Sequence, residues 1–331
     1  MRITSEILLR LANDFIAQRT RTQRDILAVY LHGSLLGDSP VLGGAADIDL
    51  FFIHIDQPKP QREIVRITDD IHLDVAHQGR DIYRHTRDVR MHPWLGPVIY
   101  GCKILYDPQH FLDFIQAGVR DQFNRPDNIL GRARQQAQRA RQTWLDFQLK
   151  APGPGPQGLS EYLQALEAAA NAVALLSGPP LTERRFLLQF AERAQAVNHP
   201  GLLAGILGLL GGGNLPLEQL HSWLPAWQTA YQGQPVNPGL EHLHPHRLNY
   251  YLRALENMLV SGAAFQMALW PLATTWTALA LHSAPASAVW QEFAAALGLV
   301  GDGLAGRLAA LDAYLDTVDE TLETWGREKG A

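Results

Sequence analysis

The chain is expected to be an α+β protein, a small mixed-sheet domain (1–122) followed by an all-α helical bundle (123–331). Three observations predict it. The apolar runs Ile26–Leu31 and Leu50–Ile53 are short and closed by polar or turn residues, as buried strands are. Ile71-His72-Leu73-Asp74-Val75-Ala76-His77 alternates with the period of a half-buried strand. Beyond Pro126 the apolar pattern becomes wholly helical.

Taken in order, residues 5–20 place Ile7, Leu8, Leu11, Phe15 and Ile16 on one helical stripe. A strand over about 26–32 runs into Gly33-Ser34, and a second strand is expected over about 46–54. Asp56 to Pro60 is turn-rich, with a helix expected over about 60–70 before the alternating strand. Residues 80–100 read as a helix and a helical turn around Pro93 and Pro97. Gly101–Pro108 reads as a short strand into a turn, and about 108–119 as a closing helix. A long helix rich in Arg and Gln follows over 127–149. APGPGPQG (151–158) reads as a loop, after which Ser160 is expected to cap a helix over about 160–177. Further helices fit 182–197, 200–210, 216–231, 245–264, 265–281, 286–298 and 302–326, with Pro245 tolerated at a first helical position.

Bulk properties narrow the function. An apolar fraction of 47% over 331 residues suffices for sizeable cores. The formal net charge of −5 argues against generic binding to nucleic acid. Cys102 is the only cysteine, so no intrachain disulfide forms, which fits a reducing cytoplasm. Glu6, Arg10 and Asp14 interrupt what would be the apolar core of a signal peptide. Residues 257–291 hold no Asp, Glu, Lys or Arg, but Pro271, Pro285, Gln266 and His282 dilute the run. A buried helical hairpin is expected there rather than a membrane span.

The chemistry concentrates in Tyr30–His54. Apolar residues end at Gly33-Ser34, and after twelve residues (35–46) comes Asp47-Ile48-Asp49 followed by Leu50, Phe51, Phe52 and Ile53. Carboxylates at i and i+2 on a strand share a face, where they can hold a divalent cation through oxygen. A glycine lets backbone approach a phosphate, and turn N–H groups with the Ser34 hydroxyl suit phosphate oxygens. Asp74 is a third carboxylate on the alternating strand. His72 shares its face, whereas His77 points the other way. Gly43-Gly44 and Gly211-Gly212-Gly213 lack a following Gly-Lys-Ser/Thr, so no Walker-type loop is present.

This stretch resembles the signature of the nucleotidyltransferase superfamily related to DNA polymerase β and the aminoglycoside (kanamycin-type) nucleotidyltransferases. That signature is an apolar residue, Gly, Gly or Ser, a spacer of about this length, and an acidic-x-acidic pair. Gly101-Cys102-Lys103-Ile104-Leu105-Tyr106-Asp107 is similar to a late Gly-x-x-Leu-Tyr-Asp strand of such domains, so the likeness covers most of residues 20–110. The resemblance implies transfer of a nucleoside monophosphate from an NTP, with ATP the expected donor, using two Mg²⁺ ions. Asp47, Asp49 and Asp74 are then the metal-binding and catalytic carboxylates, with Asp74 a ligand or the general base. Gly33, Ser34 and Lys103 are the expected nucleotide contacts. In some family members a Glu of the helical domain serves as base, and Glu161 and Glu167 are the available analogues.

Other basic candidates for the triphosphate are Arg87, Arg90, Arg132, Arg134, Arg139, Arg141, Arg184 and Arg185, most expected on solvated faces. His242-Leu243-His244-Pro245-His246 lacks a partner at zinc spacing and is read as a loop leading into a helix. The acidic balance favours a small hydroxylated acceptor and leaves a homodimer open. Two alternatives remain: an antitoxin-like protein that modifies or binds a protein partner, and a non-catalytic nucleotide-binding regulator.

Overall fold

The computed structural model describes residues 3–150, 153, 155–237, 239–262, 265–283 and 286–331. The protein is mixed α+β, with one five-stranded mixed sheet and, among the described residues, thirteen α-helices. Two compact units form. One comprises residues up to Phe123 together with Pro235–Asn257, the other Asn124–Gln234 and Met258–Ala331. Residues 235–257, which sequence pattern assigns to the helical part, thus group with the sheet.

The sheet unit begins with α1 (Ser5–Thr22), whose N-terminus is capped by Thr4 accepting from the Ile7 N–H. The strands are β1 (Ile26–His32), β2 (Ala46–His54), β3 (Arg62–Arg66), β4 (Ile71–Gly79) and β5 (Lys103–Tyr106), in the spatial order β3-β4-β2-β1-β5. β2 and β4 run parallel, and every other neighbouring pair is antiparallel. On one face Leu8, Ala12 and Ile16 of α1 bury Ala46, Ile48, Leu50, Phe52, Leu73 and Val75. The other face packs, at the β1 side, on Tyr83 and on α2 (Thr86–Met91), α3 (Leu95–Gly101) and α4 (Phe111–Arg120).

The expected helix over 60–70 is instead β3 and a hairpin turn. Arg62-Glu63-Ile64-Val65-Arg66 lies antiparallel to β4, with Ile64 opposite Asp74. The tight return is held by the Thr68 hydroxyl, which accepts from the N–H groups of Asp70 and Ile71. Pairing with an existing strand outweighs the modest helical propensity of five residues that include β-branched Ile64 and Val65.

The helical unit contains α5 (Pro126–Leu149), α6 (Pro156–Ala174), α7 (Phe186–Ala196), α8 (Gly201–Leu209) and α9 (Leu217–Gln232). α10 (Leu248–Val260) begins in the sheet unit. α11 (Leu269–Leu281), α12 (Ala288–Ala296) and α13 (Asp302–Lys329) complete the helical one. α6 starts at Pro156, four residues before the expected Ser160 cap, because proline suits the first helical turn. The expected 151–158 loop lies partly outside the described residues, as does Pro285. Arg141 ties α5 to α13 through Asp312, Asp316 and Asp319. Among the described residues no helix is long and apolar enough to cross a membrane. The charge-poor run instead supplies α11, where Trp270, Leu272, Ala273, Trp276 and Leu279 are buried.

Candidate functional site

Sheet register gathers the three carboxylates named from sequence. Across the parallel β2–β4 pair, Asp47 lies opposite His72 and Asp49 opposite Asp74, so the four residues share one face. Across β1–β2, His32 lies opposite Asp49 and joins the same face. Asp47 is 5% exposed, Asp74 3% and His72 2%, whereas Asp49 is half-buried. His77 is in register with Phe52 and faces the α1 side.

Gly33 closes β1 beneath this row. Its φ of +86° is in the region L-residues avoid, and a Cβ there would overlap the Asp49 carboxylate. Glycine is required on both counts, and the consequence is backbone brought directly against Asp49. Ser34 opens a short 3-10 turn, Ser34–Leu36, and its hydroxyl donates to the Pro40 carbonyl at 3.2 Å. The hydroxyl therefore helps hold the loop that leads to β2. Burial pushes the His32 imidazole down to about 4, and its Nδ1 is buried without a hydrogen-bond partner. At neutral pH this is a neutral ring at the edge of an acidic row.

Two guanidiniums meet the carboxylates. Arg62 donates from Nε and Nη2 to the two oxygens of Asp74, each at 2.6 Å, a bidentate clamp. Arg247, which sequence reasoning did not single out, arrives from the 235–257 segment. It is 1% exposed, 3.6 Å from Asp74 Oδ2 and 3.8 Å from Asp47 Oδ2. Its guanidinium carbon lies 4.7 Å from the Tyr250 ring centre and 5.4 Å from that of Tyr251, within cation–π range. Tyr250 in turn meets His72 edge-on, with ring centres 5.3 Å apart. The segment docks beside the acidic row at two more points. Gly43, at φ +64°, leaves room for the Arg253 carbonyl, which a Cβ would strike, and Arg253 Nε stands 3.7 Å from Asp70. The signal available in sequence was slight: one arginine after Pro245-His246, at the start of a helix.

Lys103 is not brought to this row. It is exposed on edge strand β5, separated from β2 by β1, and in register with Leu31 of the α1-side core. Arg87 is exposed, and Arg90 donates to the Gly118 carbonyl at 2.8 Å. The remaining basic candidates lie in the helical unit: Arg132 and Arg184 are buried there, and Arg141 is held by its three aspartates. Glu161 and Glu167 also belong to that unit. Glu161 accepts from Gln157 at 3.3 Å. Burial pushes the Glu167 carboxyl up to about 7, Arg139 opposing the shift and Glu183 adding to it. His244 accepts through Nδ1 from the His246 N–H, which makes the histidine run a local cap.

Hard oxygen ligands on one sheet face suit Mg²⁺ in donor type. As placed, however, among the described residues no group of three or more His, Cys, Asp or Glu converges closely enough to hold a metal ion. Arg62 and Arg247 stand at two of the three carboxylates. No protein-family profile and no curated protein matches the chain. The site is therefore read from its own geometry.

A second polar cluster, centred on buried His54 and His77, occupies the α1-side face. His54 Nδ1 pairs with Asp25 at 2.7 Å, His54 Nε2 with His77 Nδ1 at 2.9 Å, and His77 Nε2 with Glu63 at 3.1 Å. Arg19 closes the chain on Glu63 with two 2.9 Å bonds. Hydrogen bonds to His54 and His77 hold the Asp25 and Glu63 carboxyls below their usual range.

Proposed function

We propose that the protein is a metal-dependent nucleotidyltransferase of α+β architecture that moves a nucleoside monophosphate from an NTP to a hydroxyl of a small acceptor. The observation that carries this reading is the in-register row Asp47, Asp49 and Asp74 beside a glycine whose backbone lies against Asp49. Phosphoryl-group chemistry asks little covalent help of a protein. It asks for positioning and for neutralisation of the charge on the transferring phosphorus. In this reading Mg²⁺, with Asp47 and Asp49 as its carboxylates, supplies that neutralisation when bound. The chain's own contribution is a rigid acidic face and the Gly33-Ser34 turn as phosphate contact. The acceptor oxygen forms a bond to the α-phosphorus, the bond to the bridging oxygen breaks, and pyrophosphate leaves as the hydroxyl proton passes to a base. ATP is the expected donor, and the acidic composition favours a small acceptor over nucleic acid.

Incubation with α-labelled ATP and Mg²⁺ and a panel of hydroxylated acceptors tests it. The expected result is label transfer by the wild type, reduced at least about 100-fold in Asp47→Asn and Asp49→Asn. Nucleotide binding that is independent of metal and unchanged by both substitutions would reject the reading.

A second reading is favoured by one observation, the engagement of Asp47 and Asp74 by Arg62 and Arg247. A site neutralised by guanidiniums suits a regulator that binds nucleotide without turning it over. Tight nucleotide binding with no label transfer to any small molecule or protein distinguishes it.

A further inference from the structure

We propose that the cleft between the β3–β4 turn and the start of α10 is a purine-base pocket, in which the Asn249 carboxamide reads the edge of the base and the His246 ring supports its plane. The inference deepens the nucleotide reading by naming where the base of the NTP sits, and it rests on that reading only for the part the base plays in transfer.

The chain that forms one wall of the cleft is divided between two tasks. Arg247, Tyr250 and Tyr251 are buried, with Arg247 against the acids and both rings against Arg247. Pro245, His246, Leu248 and Asn249 instead line a cavity of about 210 Å³, whose other wall is Arg66 and Asp69. A 3-10 turn, Pro245–Arg247, runs directly into α10, and helical spacing separates the two sets onto different sides. Arg66 is in register with His72, and His72 with Asp47. The cavity therefore adjoins the carboxylate face across two strand spacings, about 9.5 Å. A ribose 5′-phosphate spans such a gap, so a nucleotide with its phosphates at the acids has its base here.

The lining selects a ligand by what each alternative would leave unpaired. Arg66 and Asp69 pair with each other across the hairpin turn, so the walls offer donors and acceptors with their charges balanced. A phosphate would meet Asp69, a metal ion would meet Arg66, and a hydrocarbon would cover the Asn249 carboxamide without bonding it. A neutral heterocycle with donors and acceptors along its edge satisfies all three. Among the described residues the Asn249 side chain has no hydrogen-bond partner. A carboxamide sets a donor beside an acceptor, the pattern that matches N6 and N7 of adenine, and Asp69 adds an acceptor for the exocyclic amine that either purine carries. His246 is exposed, and its ring is set against that of His244 at 4.5 Å while its N–H donates to His244 Nδ1. It thus offers a fixed aromatic surface for stacking. Size agrees as well. A cavity of roughly 150 Å³ takes up benzene, so this one admits a bicyclic base.

Amide NMR on the full chain with adenosine, guanosine and uridine, in the absence of metal and phosphate, tests the proposal. Both purine nucleosides are expected to bind at least about ten-fold tighter than uridine and to shift amides of 66–70 and 245–250. Asn249→Leu is expected to weaken adenosine at least about ten-fold, the worth of one bidentate contact. His246→Ala, a change at an exposed position, should weaken both purines about ten-fold and guards against misfolding of the first variant. Uridine binding as tight as the purines, shifts centred elsewhere in the chain, or adenosine affinity unchanged in both variants overturns the proposal. Purine binding here by a protein that transfers no label leaves the pocket standing and rejects the nucleotidyltransferase reading. Label transfer without purine binding here rejects the pocket alone.

Discussion

The two polar clusters of the sheet unit sit on opposite faces of the same sheet and are built on opposite plans. On the α1 side, imidazoles are bracketed by carboxylates, and each link from Asp25 to Arg19 is 3.1 Å or shorter. On the other side, carboxylates are bracketed by guanidiniums, and the links to Arg247 are 3.6 and 3.8 Å. The first cluster is closed by a chain of hydrogen bonds from Asp25 through His54, His77 and Glu63 to Arg19. The second reaches solvent at Asp49, which is only half-buried. A hydrogen-bonded chain around buried imidazoles stabilises one arrangement, whereas a carboxylate row that reaches solvent is accessible to a ligand. The contrast separates a structural cluster from the proposed functional one, with the strands held constant.

The largest effect should come from breaking the open cluster at its acids. Asp47→Asn or Asp49→Asn is expected to lower nucleotidyl transfer at least about 100-fold, with little loss of thermal stability, as measured by label transfer and calorimetry. Arg62→Met should show the reverse emphasis. It removes both hydrogen bonds to buried Asp74, which keeps Arg247 at 3.6 Å, and is expected to cost about 2 kcal/mol in denaturant unfolding. In the closed cluster, His54→Leu leaves Asp25 and His77 without their shared partner and should cost about 2 kcal/mol while leaving Mn²⁺ binding intact.

The smallest effect is on pH dependence. Asp25 and Glu63 titrate below their unfolded values because His54 and His77 favour their ionised forms. Their stabilisation is therefore fully present above the unfolded carboxylate range near pH 4 and is lost as pH falls through the lower folded values. His32 acts over a higher window. Folded at about 4 against an unfolded value near 6.5, it contributes stability above pH 6.5 that is lost as pH falls to about 4. His32→Gln should flatten the unfolding free energy between pH 6.5 and 4, and His54→Leu should flatten it below pH 4.

Much of the sheet unit was legible because its signals are local. Ile26–His32 and Ala46–His54 are found where apolar runs end in polar residues, and the face shared by His72 and Asp74 follows from strand period alone. Strand β3 was not legible. Arg62–Arg66 has no period long enough to outvote a helix, and it becomes a strand only because β4 offers an edge. The register that sets Asp49 against Asp74 is likewise tertiary, since nothing within either strand fixes its partner. Arg247 illustrates the harder limit. It stands next to Asp74 in space and 173 positions away in sequence, in a stretch whose helical pattern matches its neighbours. Sequence spacing revealed the acids, but the charge that balances them became visible only when residues 235–257 folded back onto the sheet.

The most direct test of the distinction between the clusters is metal-dependent nucleotide binding, measured by calorimetry with Mn²⁺ and a non-hydrolysable ATP analogue. Wild type and His54→Leu are expected to bind the analogue only when Mn²⁺ is present, and Asp47→Asn and Asp49→Asn not to bind it under either condition. Binding without metal, or binding that survives both aspartate substitutions, would contradict the account.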